Sequence, residues 1–397
     1  MIKRFSYENR KIFFILYIDI ILRKGYNIFN NSKYNLPIVK GGINMKKEVS
    51  MMVGPTAVPE RVLNAMNRKS ISHRSKEYCQ IHERVREGLK RLFKTENEVY
   101  ILTSSGTGAM EAAIQNCFSF GDEVVVPVLG TFSKQFANMA EAYQLKVIRV
   151  EFELGEAADV KKVMEHITPN TKGVFVIHNE SATGITNDLE AFGKALKDSD
   201  VLLITDSVSG AGGLEMRMDE WNIDVVLSSS QKALMVPAGL SFISLNDKAW
   251  KAVENSNIPK FYFDLKKARA FQEKNQTPNT PAVYNVFAVD EALKMIFEEG
   301  LDNVYKRHTE NTMRIIEGIR ELGYNIFPKD EKYASKTLTA VYAPGKAKAI
   351  VQALGEQGIT VNGGLDPIAD DMFRVGTMGY VYKEDVEAFL EALANIK

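Results

Sequence analysis

Four places in the chain set chemically capable side chains at the ends of apolar, β-branched runs. "EVYIL" ends in Thr103-Ser104-Ser105-Gly106-Thr107-Gly108 and passes straight into a helical pattern. "GVFVIH" ends in Asn179-Glu180-Ser181-Ala182-Thr183-Gly184, "VLLIT" in Asp206-Ser207-Val208-Ser209, and "DVVL" in three serines, Gln231 and Lys232. Each has an ordinary reading when taken singly: Gly and Ser fill turns, Asp caps them, and a lysine at a strand end is solvated. Four on one rim read differently, because ligands of doubly wound α/β sheets sit beyond the carboxyl ends of the strands.

The Ser-Ser-Gly-Thr-Gly turn suits a single phosphate. Small residues let backbone N–H groups approach an anion, hydroxyls add donors, and the following helix contributes its positive end. A dinucleotide fits poorly, since the GxGxxG frame from Gly106 places Glu111 where Gly or Ala is required. No Gly-Lys-Ser/Thr follows, so the turn is not a Walker loop. Asp206 would be costly to bury without a cationic partner, which makes it either a turn cap or the counter-ion of a protonated heterocycle nitrogen. A phosphate cup, a carboxylate and a lysine together match pyridoxal 5'-phosphate (PLP), which carries a phosphate, a pyridine nitrogen and an aldehyde that condenses with a lysine. Lys232 is then the Schiff-base lysine. Phe132, in the turn "LGTFSK", suits ring stacking and a plain core position equally.

These residues need a sheet to position them. "EVYIL", "EVVVP", "KVIRV", "GVFVIH", "VLLITD" and "DVVLSS" alternate with amphipathic segments such as "GAMEAAIQNCF" and "LEAFGKALKD". Near-continuous apolar strands separated by helices predict a mainly parallel α/β sheet covered on both faces. "LSFISL" follows too closely for another helical crossover and is expected to run antiparallel. Beyond about residue 260 come long helices, "AVDEALKMIFEEG" and "DNVYKRHTENTMRIIEGIREL", then short strands and helices that suggest a smaller α+β domain. The expected division is an extension at 1–44, a large domain at 45–300 and a small domain at 301–397.

The chain has 397 residues, 45% of them hydrophobic, with 50 basic and 50 acidic residues. Zero net charge gives no electrostatic case for nucleic acid or an anionic membrane surface. Cys79 and Cys117 form no CxxC or Cys/His pattern, which fits a reducing cytoplasm and no structural zinc. The first 44 residues carry the apolar run "IFFILYIDIIL". It lacks a small-residue cleavage site, is interrupted by Asp19 and is shorter than a membrane span, so the extension is expected to be dispensable and poorly packed.

The ordered segments "GPTAVPERVLNAM", "SHRSKEY", "SSGTGAMEAAI", "HNESATG", "TDSVSGAGG", "MDEWNIDVVLSSSQKAL", "TPNTPAVYNVFAVDEAL" and "FRVGTMG" resemble the class V aminotransferases of fold type I, in the alanine–glyoxylate and serine–pyruvate branch. The resemblance covers about Met45 to Lys397 and implies a seven-stranded type of large domain and a homodimer. It implies that Lys232 carries the cofactor, Asp206 holds the pyridine N1–H and Val208 packs on the ring. Ser105, Gly106 and Thr107 would cradle the phosphate with Gln231 nearby, and Phe132 stands where a stacking tryptophan is common. Ser181 would bond near the ring hydroxyl, and Thr280 would reach the phosphate of the partner subunit's cofactor. Arg374 would grip the substrate α-carboxylate, and Gly54 would line the same pocket. One departure is Thr277 in "QTPNTP", where some members have a tyrosine; it puts a contact across the dimer interface in doubt. His178 beside Glu180 lacks a third metal ligand at suitable spacing, and His73 is expected to pack rather than act as a base.

The implied activity transfers an amino group from a small amino acid (alanine, serine or aspartate) to glyoxylate or pyruvate. Ureidoglycine is an alternative donor. One rival is a class V lyase such as a cysteine desulfurase, which needs a mobile active-site cysteine that neither Cys79 nor Cys117 is well placed to be. Another is a non-enzymatic PLP-fold binding module, against which stands the lack of any DNA-binding segment or basic stripe.

Overall fold

The structure is a computed structural model and describes residues 48–396; the expectation for residues 1–44 falls outside the described residues. Seven apolar segments pair into one sheet: β1 (Val99–Leu102), β2 (Glu123–Val128), β3 (Lys146–Glu151), β4 (Thr171–Ile177), β5 (Leu202–Asp206), β6 (Val225–Ser229) and β7 (Ser241–Leu245), in the order β1-β7-β6-β5-β4-β2-β3. β7, the "LSFISL" segment, runs antiparallel to both neighbours, while the remaining adjacent pairs are parallel. The carboxyl ends of β1, β2, β4, β5 and β6 therefore share one edge.

The two-residue period of the strands distributes their side chains between two cores. Val99, Ile101, Val125, Val174 and Val176 join Val85, Leu89 and Phe93 of helix α1 (Lys76–Phe93) on one face. Tyr100, Leu102, Val124, Val126, Phe175 and Ile177 join Ala109, Met110 and Ile114 of α2 (Gly106–Cys117) and Phe136 of α3 (Thr131–Ala142) on the other. Phe175 lies between Phe118 and Phe136, with ring centroids at 5.2 and 4.6 Å. Apolar residues on both faces of each strand are what a sheet with helices on both sides requires.

A second, antiparallel sheet follows the long helix α4 (Leu301–Glu321). It contains β8 (Asn325–Ile326), β9 (Leu338–Tyr342), β10 (Asn362–Gly363) and β11 (Met372–Gly376) in the order β8-β9-β11-β10. Val341, Phe373 and Val375 pack there against Ile315 and Ile319 of α4 and against Phe389 and Leu390 of α5 (Lys383–Ala394). The first described segment joins this layer. Val49–Ser50 pairs parallel with Ile359–Thr360, the Gly376 N–H donates to the Met51 carbonyl at 2.7 Å, and the Val53 N–H donates to Asn362 Oδ1 at 2.6 Å. No helix among the described residues is long and apolar enough to cross a membrane.

Candidate active site

The end of β1 turns directly into α2, and the side chain of its N-cap residue Ser105 makes no capping bond. Ser105 and Thr107 are exposed and Gly106 between them is buried, so the positive end of a 12-residue helix opens outward with two hydroxyls beside it. Gly106 is sterically obligatory, since a Cβ there would sit 2.6 Å from Val208 Cγ2 and 3.3 Å from Ser229 Oγ. The buried Ser229 Oγ beside this turn has no protein partner, and neither does Gln231 Oε1 two residues further along the chain. Buried polar atoms are almost always hydrogen-bonded, so such orphans point to a ligand or ordered water.

Asp206 closes β5 at 6% exposure and accepts the Val208 N–H at 2.7 Å. Burial pushes its pKa up to about 7; the Val208 N–H opposes the rise, Glu180 adds to it, and Lys232 works against it. A carboxylate held this way is short of one positive partner. Lys232 lies just past β6, and its Nζ donates to the Val53 carbonyl at 2.8 Å. Burial is the main cause lowering its pKa to about 8, helped by Arg374 and countered by Asp206.

Arg374 lies in the middle of β11 at 7% exposure. Its Nε and Nη2 donate to the Gly363 carbonyl at 3.0 and 2.9 Å, and Nη1 donates to the Ser181 carbonyl at 3.2 Å. A guanidinium has five N–H donors, so two remain, and no ion pair with Arg374 occurs among the described residues. Burial lowers its pKa, with Glu180 opposing. A nearly buried guanidinium with free N–H donors and no ion-pair partner has the chemistry to bind a carboxylate.

The matched family model, Aminotransferase class-V, spans residues 52–389 of the chain. The chain belongs to the class-V aminotransferase family. It is 39% identical to a soluble hydrogenase small subunit of Synechococcus sp., over 88% of this chain and 93% of that protein. It is 35% identical to a serine–glyoxylate aminotransferase of Methylorubrum extorquens, over 82% of this chain and 85% of that protein. Its fold is similar to the solved alanine–glyoxylate aminotransferase of Nostoc sp., with TM-score 0.84 and 27% identity over 92% of this chain and 97% of that one. This class-V chain thus has the fold type I architecture, a mostly parallel seven-stranded sheet followed by an antiparallel C-terminal sheet.

Within this class-V fold, the residues singled out from sequence converge with one exception. Gly54 abuts Lys232, Gly106 abuts Val208, Val208 bonds Asp206, and Arg374 bonds Ser181. Gln231 sits between the orphaned Ser229 and Lys232, its backbone carbonyl accepting the Thr56 N–H at 3.0 Å. Phe132 is half-buried and packs on the same core as Val208. The exception is Thr280, which is exposed and outside this cluster; two residues on, the Ala282 N–H donates to Thr103 Oγ1 at 3.2 Å, near the phosphate-type turn. Thr277 is buried and donates its hydroxyl to the Asn279 carbonyl at 2.7 Å. His178 is a buried neutral imidazole bonded to Ser207 Oγ at 2.8 Å, its pKa pushed down to about 4 by burial. Among the described residues no three of His, Cys, Asp and Glu cluster to hold a metal.

Sequence reasoning weighed Glu180 only as a metal ligand beside His178 and missed the role its burial gives it. Glu180 is fully buried and accepts from the N–H groups of Phe132 (3.2 Å), Ser133 (2.8 Å) and Ala182 (3.3 Å) and from Ser133 Oγ (3.0 Å). The only available signal was a carboxylate inside an otherwise small and uncharged strand-end segment, "HNESATG".

Proposed function

We propose that the protein is a PLP-dependent aminotransferase that takes the amino group of a small amino acid and delivers it to glyoxylate or pyruvate. The observation that carries this reading is the buried Arg374, without an ion-pair partner and close enough to Lys232 to contribute to the lowering of that lysine's pKa to about 8. The residues present fit the cofactor. The α2 N-terminus with Ser105, Gly106 and Thr107 suits its phosphate, with the orphaned Ser229 and Gln231 as further partners. Asp206 suits its ring nitrogen, Val208 and Phe132 its two faces, and Ser181 its ring hydroxyl. When bound, PLP supplies an aldehyde that condenses with amines and a ring that accepts electron density.

The chain's own groups do the rest. Arg374 binds the α-carboxylate through its two remaining N–H donors and so orients the amino acid. Asp206 keeps a proton on the ring nitrogen, and the attraction of that cation offsets the cost of its buried charge. Lys232, neutral over much of the range near its lowered pKa, takes the proton from the substrate Cα as a general base and later returns one. Gly54 leaves room for this amine to move.

A homodimer belongs to the same reading. Phe261 (79% exposed), Tyr262 and Tyr284 are uncovered aromatic side chains in the segments flanking Thr280, as expected if a second copy covers them and takes Thr280 into its own phosphate site. Cytoplasmic residence is supported by Cys79 and Cys117, both free thiols. A desulfurase reading has no suitable thiol: Cys117 is buried at the end of α2 with its pKa pushed up to about 12, and Cys79 is half-buried within α1.

The deciding experiment is a panel of amino acids, including alanine, serine, aspartate and ureidoglycine, against glyoxylate, pyruvate and 2-oxoglutarate, with the oxo-acid product identified. Transfer from a small donor to glyoxylate or pyruvate is expected. Sulfide release from cysteine without transamination would overturn the reading.

A further inference from the structure

A helix N-terminus normally takes its cap from a side chain one residue outside the helix. Helix α3 does not. Its N-cap is Gly130, which has no side chain to offer, and the first N–H groups of the helix are bound instead by a carboxylate 47 and 48 residues further along the chain. Glu180 Oε1 accepts from Phe132 N–H at 3.2 Å, and Oε2 accepts from Ser133 N–H at 2.8 Å and Ser133 Oγ at 3.0 Å. A Cβ on Gly130 would lie 2.6 Å from both Cδ and Cγ of Glu180. A local Ser or Asp cap is thus sterically incompatible with the carboxylate in this place.

A distant carboxylate is a costly substitute for a local serine, because its charge must be held in a fully buried position. What the local cap would lack is the connection. Glu180 comes three residues after Ile177, the end of β4 that pairs with Asp206, and its field reaches both Asp206 and Arg374. One of its hydrogen bonds comes from the backbone N–H of Phe132, the half-buried aromatic that shares a core with Val208, and the others come from the adjacent Ser133 and from Ala182. One buried side chain therefore joins the strand edge that carries the acid to the helix start that carries the aromatic.

We propose that Glu180 is a positioning residue whose buried carboxylate fixes the backbone of Phe132 and thereby sets that ring against the cofactor's plane. The inference rests on the PLP reading above. It assigns Glu180 no contact with the cofactor and no proton transfer; its effect passes through Phe132.

The test uses the full-length protein loaded with PLP and reads the PLP dissociation constant and the visible circular dichroism of the bound cofactor, which reports ring orientation. The variants are Glu180→Gln, Phe132→Ala and the two combined. Gln keeps the size but turns an amide donor toward the N–H groups the carboxylate accepted. Kd is expected to rise about tenfold, the scale of one buried hydrogen bond to a charged group, with a weakened dichroic band. In the Phe132→Ala background the same Glu180 change should have little further effect. Ser133→Ala removes one donor and leaves Glu180 in place, so it serves if Glu180→Gln does not fold; a smaller rise in the same direction is expected. Wild-type Kd and dichroism in Glu180→Gln, or in Ser133→Ala where that variant stands in, would overturn the proposal. So would effects of Glu180→Gln and Phe132→Ala that simply add. A wild-type protein that takes up no PLP would overturn the function reading as well, whereas a PLP-binding wild type matched by its Glu180→Gln variant overturns this inference alone.

Discussion

Gly54 and Lys232 are packed so closely that a Cβ on Gly54 would lie 2.5 Å from the lysine Nζ and 2.7 Å from its Cδ and Cε. Gly54 also has φ +140°, a conformation that L side chains rarely adopt. Gly54→Ala should therefore displace the amine. A misplacement of about 1 Å can cost about a hundredfold in rate, so turnover should fall by one to two orders of magnitude. Steady-state kcat on the PLP-loaded variant checks this, and an unchanged kcat would separate Gly54 from the lysine's placement.

The lowered pKa of Lys232 has a direct kinetic signature. Only the neutral amine attacks an aldehyde, so PLP uptake by cofactor-free protein should accelerate with pH, with a midpoint near 8, and level off above it. Arg374 is one cause of the lowering, so Arg374→Met should move the midpoint upward. Stopped-flow absorbance across the pH range measures both. A midpoint near the ordinary lysine value of 10.5 in the wild type would contradict the assignment.

Asp206 gives a pH dependence of opposite kind. In the folded, cofactor-free protein its pKa is raised from the ordinary 3.8 to about 7, so between these values the folded state binds more protons than the unfolded one. Stability then falls as pH rises through that window. Asp206→Asn should remove that part of the slope, retain PLP through the phosphate contacts and lose most turnover. Urea unfolding at several pH values, paired with activity, tests the pair of claims.

Arg374→Lys keeps a charge but loses the planar fork. The Gly363 and Ser181 carbonyls would lose their donors and the substrate its two-point grip. KM for the amino donor should rise by tens of fold, equivalent to about 2 kcal/mol or more. Half-reaction kinetics with a donor series measure this directly; a KM within twofold of wild type would remove Arg374 from the carboxylate site.

A change far from the site serves as a control on folding. A Cβ on Gly193 would fall 1.6 Å from the Trp221 carbonyl oxygen, a backbone atom that cannot move aside cheaply. Gly193→Ala should cost about 3 kcal/mol or more in stability, read by thermal melting. PLP affinity of the folded fraction should be unchanged.

The parts of this site legible from sequence are those set by local pattern. Val/Ile runs mark β1, β4, β5 and β6, and the polar residues that end them were bound to share an edge once the strands were parallel. "LSFISL" betrayed its antiparallel course by its short connection. The illegible parts come from long-range packing. Nothing near Lys232 signals that its amine rests on Val53, 179 residues away. Nothing in the residues around Arg374 shows that the fold buries it. Glu180 acts as a helix cap for a segment 47 residues earlier in the chain, where no cap-spacing rule applies.

The threading of residues 49–53 ties two ends of the chemistry together. These residues pair with Ile359–Thr360 and are stitched by Gly376 and Asn362 to the antiparallel sheet that carries Arg374, and they end on the carbonyl where Lys232 rests. On the proposed function, the arginine that would read the substrate carboxylate and the carbonyl that holds the Lys232 amine are thus tied to one another through this segment. On that reading the start of the described chain would serve the chemistry from a distance: trimming past Val49 would loosen the strand that holds the Lys232 amine without removing any residue proposed to meet the substrate.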